Sequence, residues 1–173
     1  MKSINVTDLR SAAKELSAGD SILLSGIVYT ARDAAHKRLT ALIADGGELP
    51  FPLEGSCIYY AGPTPPMPGR VCGSFGPTTS CRMDTFAPLL YDLGMTATIG
   101  KGGRSNEAIV RNGGLYLLAI GGAGAVAASH ITSMEEIAFA ELGCESVKKL
   151  VFDDFPLIVG TDAYGNDIFE RNR

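Results

Sequence analysis

The sequence predicts a single α/β domain with mixed strands in three layers. Apolar, strand-like runs alternate with helix-period segments in no strict order, as expected when helices cover a mixed sheet. Neither a linker nor an internal repeat divides the 173 residues, a length at which one domain already buries a substantial core. Residues 1–173 are therefore expected as one unit.

In chain order, Thr7 caps a short helix through "DLRSAAKEL", whose Leu9, Ala12, Ala13 and Leu16 follow helical spacing. "SILLSGIVYT" is apolar and partly β-branched, a strand. "RDAAHKRLTALIADGG" reads as a helix with Ala35, Leu39, Leu42 and Ile43 inward and Gly46 as its stop. The stretch from 49 to 74 contains "YYAGPTPPMPG", which cannot sustain a helix and reads as strands joined by rigid turns. After "GPTTSCRMD" a helix restarts at Pro88 through "PLLYDLG", followed by the strand "MTATIG", a helix around "NEAIVRNGG" and the buried strand "LYLLAIGG". "SMEEIAFAELG" carries Ser133 and Glu136 at capping-box spacing and is expected as a helix. "KKLVFDDFPLIVGTD" and "NDIFE" are expected strands with "YGN" turning between them.

Fifteen Lys plus Arg against nineteen Asp plus Glu give a net charge of −4, unsuited to a general nucleic-acid or acidic-membrane binder. The basic share is concentrated: residues 32–104 hold seven basic and six acidic groups, whereas 105–173 hold five and ten. A locally cationic pocket in an acidic protein suits a small anion. The opening "MKSINVTDLR" lacks a signal-peptide apolar core and no run approaches a membrane span, so a cytoplasmic location is expected. Cys57, Cys72, Cys81 and Cys144 form no CxxC pair and read as reduced thiols, with no metal ligands among them.

Three stretches carry candidate chemistry. Arg32 stands where a strand passes into a helix, with Asp33, His36 and Arg38 close behind. Free helix N–H groups beside a guanidinium suit a carboxylate, and an Asp33 cap in a solvated charged turn is the alternative. In "GPTTSCRMD" a fixed turn presents hydroxyls, and Arg82 can pair with Asp84 or with a ligand. In "IGKGGR", Lys101 lies between glycines that permit close approach, without the spacing of a P-loop. Gly122, Gly124 and Ala127 match GxGxxA, but the downstream acids Glu141 and Glu145 end an expected helix instead of a second strand, which argues against a dinucleotide site.

Taken together, "GIVYTARDAAHKRL", "IYYAGPTPPMPG", "GSFGPTTSCRMD", "IGKGG" and "DDFPLIVGTDAYGND" occur in an order that closely resembles the β subunit of iron–sulfur hydro-lyases, class I fumarate hydratase and L(+)-tartrate dehydratase. The resemblance covers roughly residues 19 to 169. It implies a swivelling β/β/α domain and a partner α subunit, separate or fused, whose three cysteines hold a [4Fe-4S] cluster. It further implies a heterotetramer, a C4 dicarboxylate substrate and no metal ligand in this chain. The resemblance carries a carboxylate-binding role onto Arg32, a proton-acceptor role onto Thr78, and substrate contacts onto Arg82 and Lys101, with Asp33 and His36 orienting the site from behind. Two guanidiniums and an ammonium could offset a dianionic acid and the charge that develops when the carbon beside a carboxylate loses its proton. Thr78 could instead position substrate or water. Cys81 stands where the family pattern leads one to expect a small residue such as Ala. Fumarate hydration is the leading expectation, tartrate dehydration its close rival, and a non-catalytic dicarboxylate-binding domain the alternative from another class.

Overall fold

A computed structural model of the chain describes residues 1–120, 122 and 124–170; Gly121 in "LYLLAIGG" and residue 123 of "GGAGAVA" lie outside the described residues, as do the last three. Among the described residues, seven strands form one mixed sheet: β1 (Lys2–Asn5), β2 (Ser21–Thr30), β3 (Cys57–Tyr59), β4 (Ala97–Gly100), β5 (Leu115–Leu118), β6 (Ile131–Ala138) and β7 (Val147–Thr161). The helices are α1 (Leu9–Ala12), α2 (Asp33–Ala44), α3 (Ala87–Asp92), α4 (Glu107–Arg111) and α5 (Gly124–Ser129). This is an α/β architecture.

Strands β2 through β5 pair in parallel, and β1 adds in parallel along the first half of β2. The fifteen-residue β7 runs antiparallel to β2, β5 and β6. Since β7 bonds both β2 and β5, the pairings β2–β3–β4–β5–β7–β2 close a ring. Side chains that alternate along these strands separate into two cores. Leu24, Val28, Tyr59, Ile99, Leu117, Phe152 and Leu157 form the first, in which Tyr59 of β3 meets Phe152 and Phe155 of β7 at ring distances of 6.1 and 5.9 Å. Ile58, Tyr60 and Tyr116 point the other way, against Ala35 and Leu39 of α2, Leu90 and Tyr91 of α3, and Ile109 of α4. Full burial of each large side chain contributes roughly 1.5–3 kcal/mol, so these alternating rows hold the helices to the sheet.

Just past the end of α2, Gly46 has a φ of +67°, the left-handed stop expected there. Four expectations are corrected. The segment read as a helix from Ser133 is strand β6, paired to β7 with Glu135 opposite Lys149 and Glu136 opposite Lys148. Ladder bonds and opposite-charge pairs outweigh the capping-box signal, and the Glu136 carboxylate accepts from the Ser146 hydroxyl at 2.6 Å instead. The first helix is preceded by a 3-10 turn capped by Asn5, whose side chain accepts from the Thr7 amide at 3.1 Å, so Thr7 is not the cap. The Pro-rich stretch contains only the short β3 among the named strands. "NDIFE" contributes one bridge, Thr161 to Asp167, and no strand.

No helix among the described residues is long and apolar enough to cross a membrane.

Candidate functional site at the ends of the parallel strands

The parallel strands β2, β3 and β4 end side by side at Thr30, Tyr59 and Gly100. Arg32 lies just beyond the first end, the turn carrying Thr78 and Arg82 follows the second, and Lys101 directly follows the third. Backbone bonds tie these segments together. The Thr78 amide donates to the Tyr60 carbonyl at 2.6 Å, the Lys101 amide to the Thr78 carbonyl at 3.3 Å, and the Ser80 amide to the Lys101 carbonyl at 3.0 Å. Gly100 is bare for a reason: a Cβ there would collide with the Ser80 Oγ and lie 3.2 Å from the Tyr60 ring.

Each candidate side chain has a defined setting. Thr78 is 9% exposed, and its hydroxyl makes no hydrogen bond among the described residues. Lys101 is exposed and its ammonium forms no ion pair among the described residues. Arg82 is clamped by both oxygens of Asp33, at 3.1 and 2.9 Å. Asp33 is thus the partner of Arg82 and not a helix cap, and Asp84, the other acid considered for Arg82, is occupied elsewhere. Arg32 is the residue preceding α2, and its Nε, buried and without a hydrogen bond, lies 3.7 Å from Glu145. Both guanidiniums therefore already face a carboxylate, Arg82 tightly and Arg32 loosely.

His36 is fully buried. Its Nδ1–H donates to the Arg32 carbonyl at 2.8 Å, and its ring packs between Tyr60 and Phe86 at 5.4 and 5.8 Å. Burial depresses its pKa to about 4, so the ring is neutral and fixes the backbone under Arg32 without reaching an open face.

Arg104, the last residue of "IGKGGR", carries no motif of its own in the sequence. Its side chain is 2% exposed; one terminal nitrogen donates to the Tyr60 hydroxyl at 2.9 Å and to Thr98 at 3.0 Å, and the other lies 3.0 Å from Asp84. Glu145, an acid downstream of the glycine run, approaches Arg32 from the end of a 3-10 turn more than a hundred residues away, which leaves no local signature. In GxGxxA, Gly124 starts α5, and a Cβ there would lie 2.9 Å from the Gly76 amide, so its bareness lets α5 support the 74–76 turn. That packing requires no dinucleotide.

The family described as Fumarase C-terminus matches residues 1–172. The chain is 37% identical over 171 residues to fumarate hydratase 2 of Leishmania major, covering 96% of itself and 30% of that protein. It is 39% identical to the anaerobic class I fumarate hydratase of Escherichia coli, covering 95% of itself and 32% of that enzyme. It is also 39% identical to a candidate L(+)-tartrate dehydratase subunit beta of Methanocaldococcus jannaschii, covering 91% of itself and 86% of that chain. The chain thus spans about a third of the length of these fumarate hydratases and nearly all of a β subunit. The match leaves almost nothing of the fold outside it, and the chain belongs to the Fumarase C-terminus family.

Proposed function

We propose that this chain is the β subunit of a class I fumarate hydratase, a hydro-lyase that interconverts fumarate and (S)-malate at a site shared with an α subunit. The observation that carries this reading is the gathering of Arg32, Thr78, Arg82 and Lys101 past three adjoining parallel strand ends, with backbone bonds joining the Thr78 and Lys101 segments. In the proposal the domain is of the swivelling β/β/α kind, the assembly is a heterotetramer, and its location is cytoplasmic.

The partner would hold the [4Fe-4S] cluster. This chain's own donors do not fit one: no three His, Cys, Asp or Glu side chains converge among the described residues, and Cys57 and Cys72 are buried while Cys81 and Cys144 are exposed. Its contribution is electrostatic and positional. Lys101 and Arg32 bind the carboxylates of a C4 diacid, the first as a mobile point charge and the second as a planar fork. Arg82, held by Asp33, presents a cation in a fixed orientation. These cations offset the negative charge that grows as the carbon beside a carboxylate loses its proton; Thr78 is the assigned acceptor as an alkoxide, its own proton first lost to solvent and its charge held by the same cations. Positioning the substrate is the other role open to Thr78.

L(+)-tartrate dehydration is kept as a second reading because the relative whose length this chain nearly spans bears a tartrate dehydratase β name. The test is anaerobic purification of the tagged chain from its host with any copurifying α chain, then turnover on fumarate, (S)-malate and L(+)-tartrate. Fumarate hydration supports the proposal, and preference for tartrate replaces it with the second reading. A pure complex without turnover leaves a dicarboxylate-binding domain.

A further inference from the structure

We propose that Arg104 is a positioning residue, whose buried guanidinium sets the spacing between the turn bearing Thr78 and the strand end bearing Lys101. The inference rests on reading those two residues as part of the dicarboxylate site. Its basis is the number of separate segments that meet on this one group. From β4 the acceptor is Thr98, from the end of β3 it is the Tyr60 hydroxyl, and from the end of the hydroxyl-rich turn the Asp84 carboxylate faces the other terminal nitrogen as an ion pair at 3.0 Å. The same Tyr60 receives the Thr78 amide on its carbonyl, and the same Asp84 receives the Ser105 amide at 3.0 Å.

A second bridge lies directly against it. Arg104 stacks its Cζ over the rings of Tyr60 and Tyr116, each at 5.5 Å. The Tyr116 hydroxyl is 2.7 Å from the Gly102 carbonyl and 2.8 Å from the Ser80 Oγ. With one proton it donates to the carbonyl and accepts from Ser80, so it joins the glycine loop after Lys101 to the turn after Thr78. Removing the guanidinium would loosen Tyr60 and Tyr116 together.

Stability does not account for this group. Burying a guanidinium is costly, and a well-packed apolar side chain of similar volume often serves a core equally well or better. One nitrogen, Nε, is buried with no hydrogen bond at all. What the fork adds is directional: one terminal nitrogen donates to two acceptors while the other faces a carboxylate on a third segment, which a flexible ammonium or a hydrocarbon cannot reproduce. Small misplacements of substrate-binding groups are known to reduce turnover by about a hundredfold, which is the scale at stake here.

The test compares Arg104→Met and Arg104→Lys with the wild-type full chain by residue-resolved amide hydrogen exchange, and by steady-state kinetics of the chain with its α partner. In Arg104→Met the amides of Thr78, Ser80 and Lys101 are expected to exchange about tenfold faster or more, with the β2–β7 ladder unchanged. In the assembled enzyme kcat is expected to fall by more than KM rises, with Arg104→Lys intermediate. Unchanged exchange overturns the inference. Uniformly faster exchange overturns it too, because that marks a merely structural residue, as does undisturbed kcat. Should Arg104→Met not fold, Arg104→Lys is read by the same criteria. If the wild-type complex turns over no dicarboxylate, the functional reading fails, while exchange still decides whether Arg104 sets this spacing.

Discussion

Replacing Gly100 with alanine perturbs the junction of the candidate site by one methyl group. The added Cβ would fall inside the van der Waals envelope of Ser80 Oγ and 3.2 Å from Tyr60 Cδ2, and Ser80 and Tyr60 are both fully buried. Neither neighbour can rotate into solvent. Ser80 is also held by its bond with Tyr116 and by the amide bond to the Lys101 carbonyl. Overpacking a filled interior costs about 1–3 kcal/mol, and straining the Ser80–Tyr116 bond adds about 0.5–1.5 kcal/mol. A loss of roughly 2–4 kcal/mol corresponds to a fall in Tm of about 4–15 °C for a chain of this size. Thermal unfolding followed by calorimetry measures it. Because the strain enters at the segment joining Thr78 to Lys101, affinity for dicarboxylate should fall as well. A Gly100→Ala protein that melts within a degree of wild type would refute the close contact between β4 and the hydroxyl-rich turn.

Arg32→Met should weaken dicarboxylate binding by about 1.5–3 kcal/mol, the worth of a hydrogen bond to a charged group, or roughly 10- to 150-fold by calorimetric titration. Arg111→Met, which removes an exposed ion pair to Asp92, should change it by less than twofold. In native protein a thiol reagent should label the exposed Cys81 and Cys144 quickly, while Cys57, buried with its thiol pKa pushed up, reacts only on unfolding; rapid loss of a third thiol would contradict the burial. His36 should make the fold acid-sensitive. Its folded pKa of about 4 lies below the ordinary 6.5, so the unfolded chain takes up the proton first. Stability attributable to this group is complete above pH 6.5 and is lost as pH falls toward 4, by roughly 3 kcal/mol in all. Denaturant unfolding across that window should show a shallower pH slope in His36→Gln, and equal slopes would exclude the buried histidine as the cause.

Long, strongly patterned elements were legible in the sequence. The apolar β2 and β7, the helix α2 with its glycine stop, and the restart of a helix near Pro88 each carry a local signal that tertiary contacts reinforce. Strand β6 was not, since Ile131, Met134, Ile137 and Ala138 repeat at helical spacing and only the partner strand, with Lys148 and Lys149 facing two glutamates, decides its state. The four residues of β1 are too few to show a period. At the site, family motifs pointed to Arg32, Thr78, Arg82 and Lys101, but their settings depend on long-range pairs. Asp33 finds Arg82 across forty-nine residues, and Arg104 finds Tyr60 across forty-four. A cation buried by such contacts looks identical in sequence to a solvated one.

On this account the strand ends form an anion site for a C4 dicarboxylate. Titrating the isotopically labelled full chain with (S)-malate and following its amide and side-chain resonances tests this most directly. Shifts should concentrate at Arg32, Thr78, Arg82 and Lys101 and leave Lys37 and Arg111 unmoved. Absence of any response, or a response centred on the groove that Arg10 and Lys14 line with Tyr164, would contradict it.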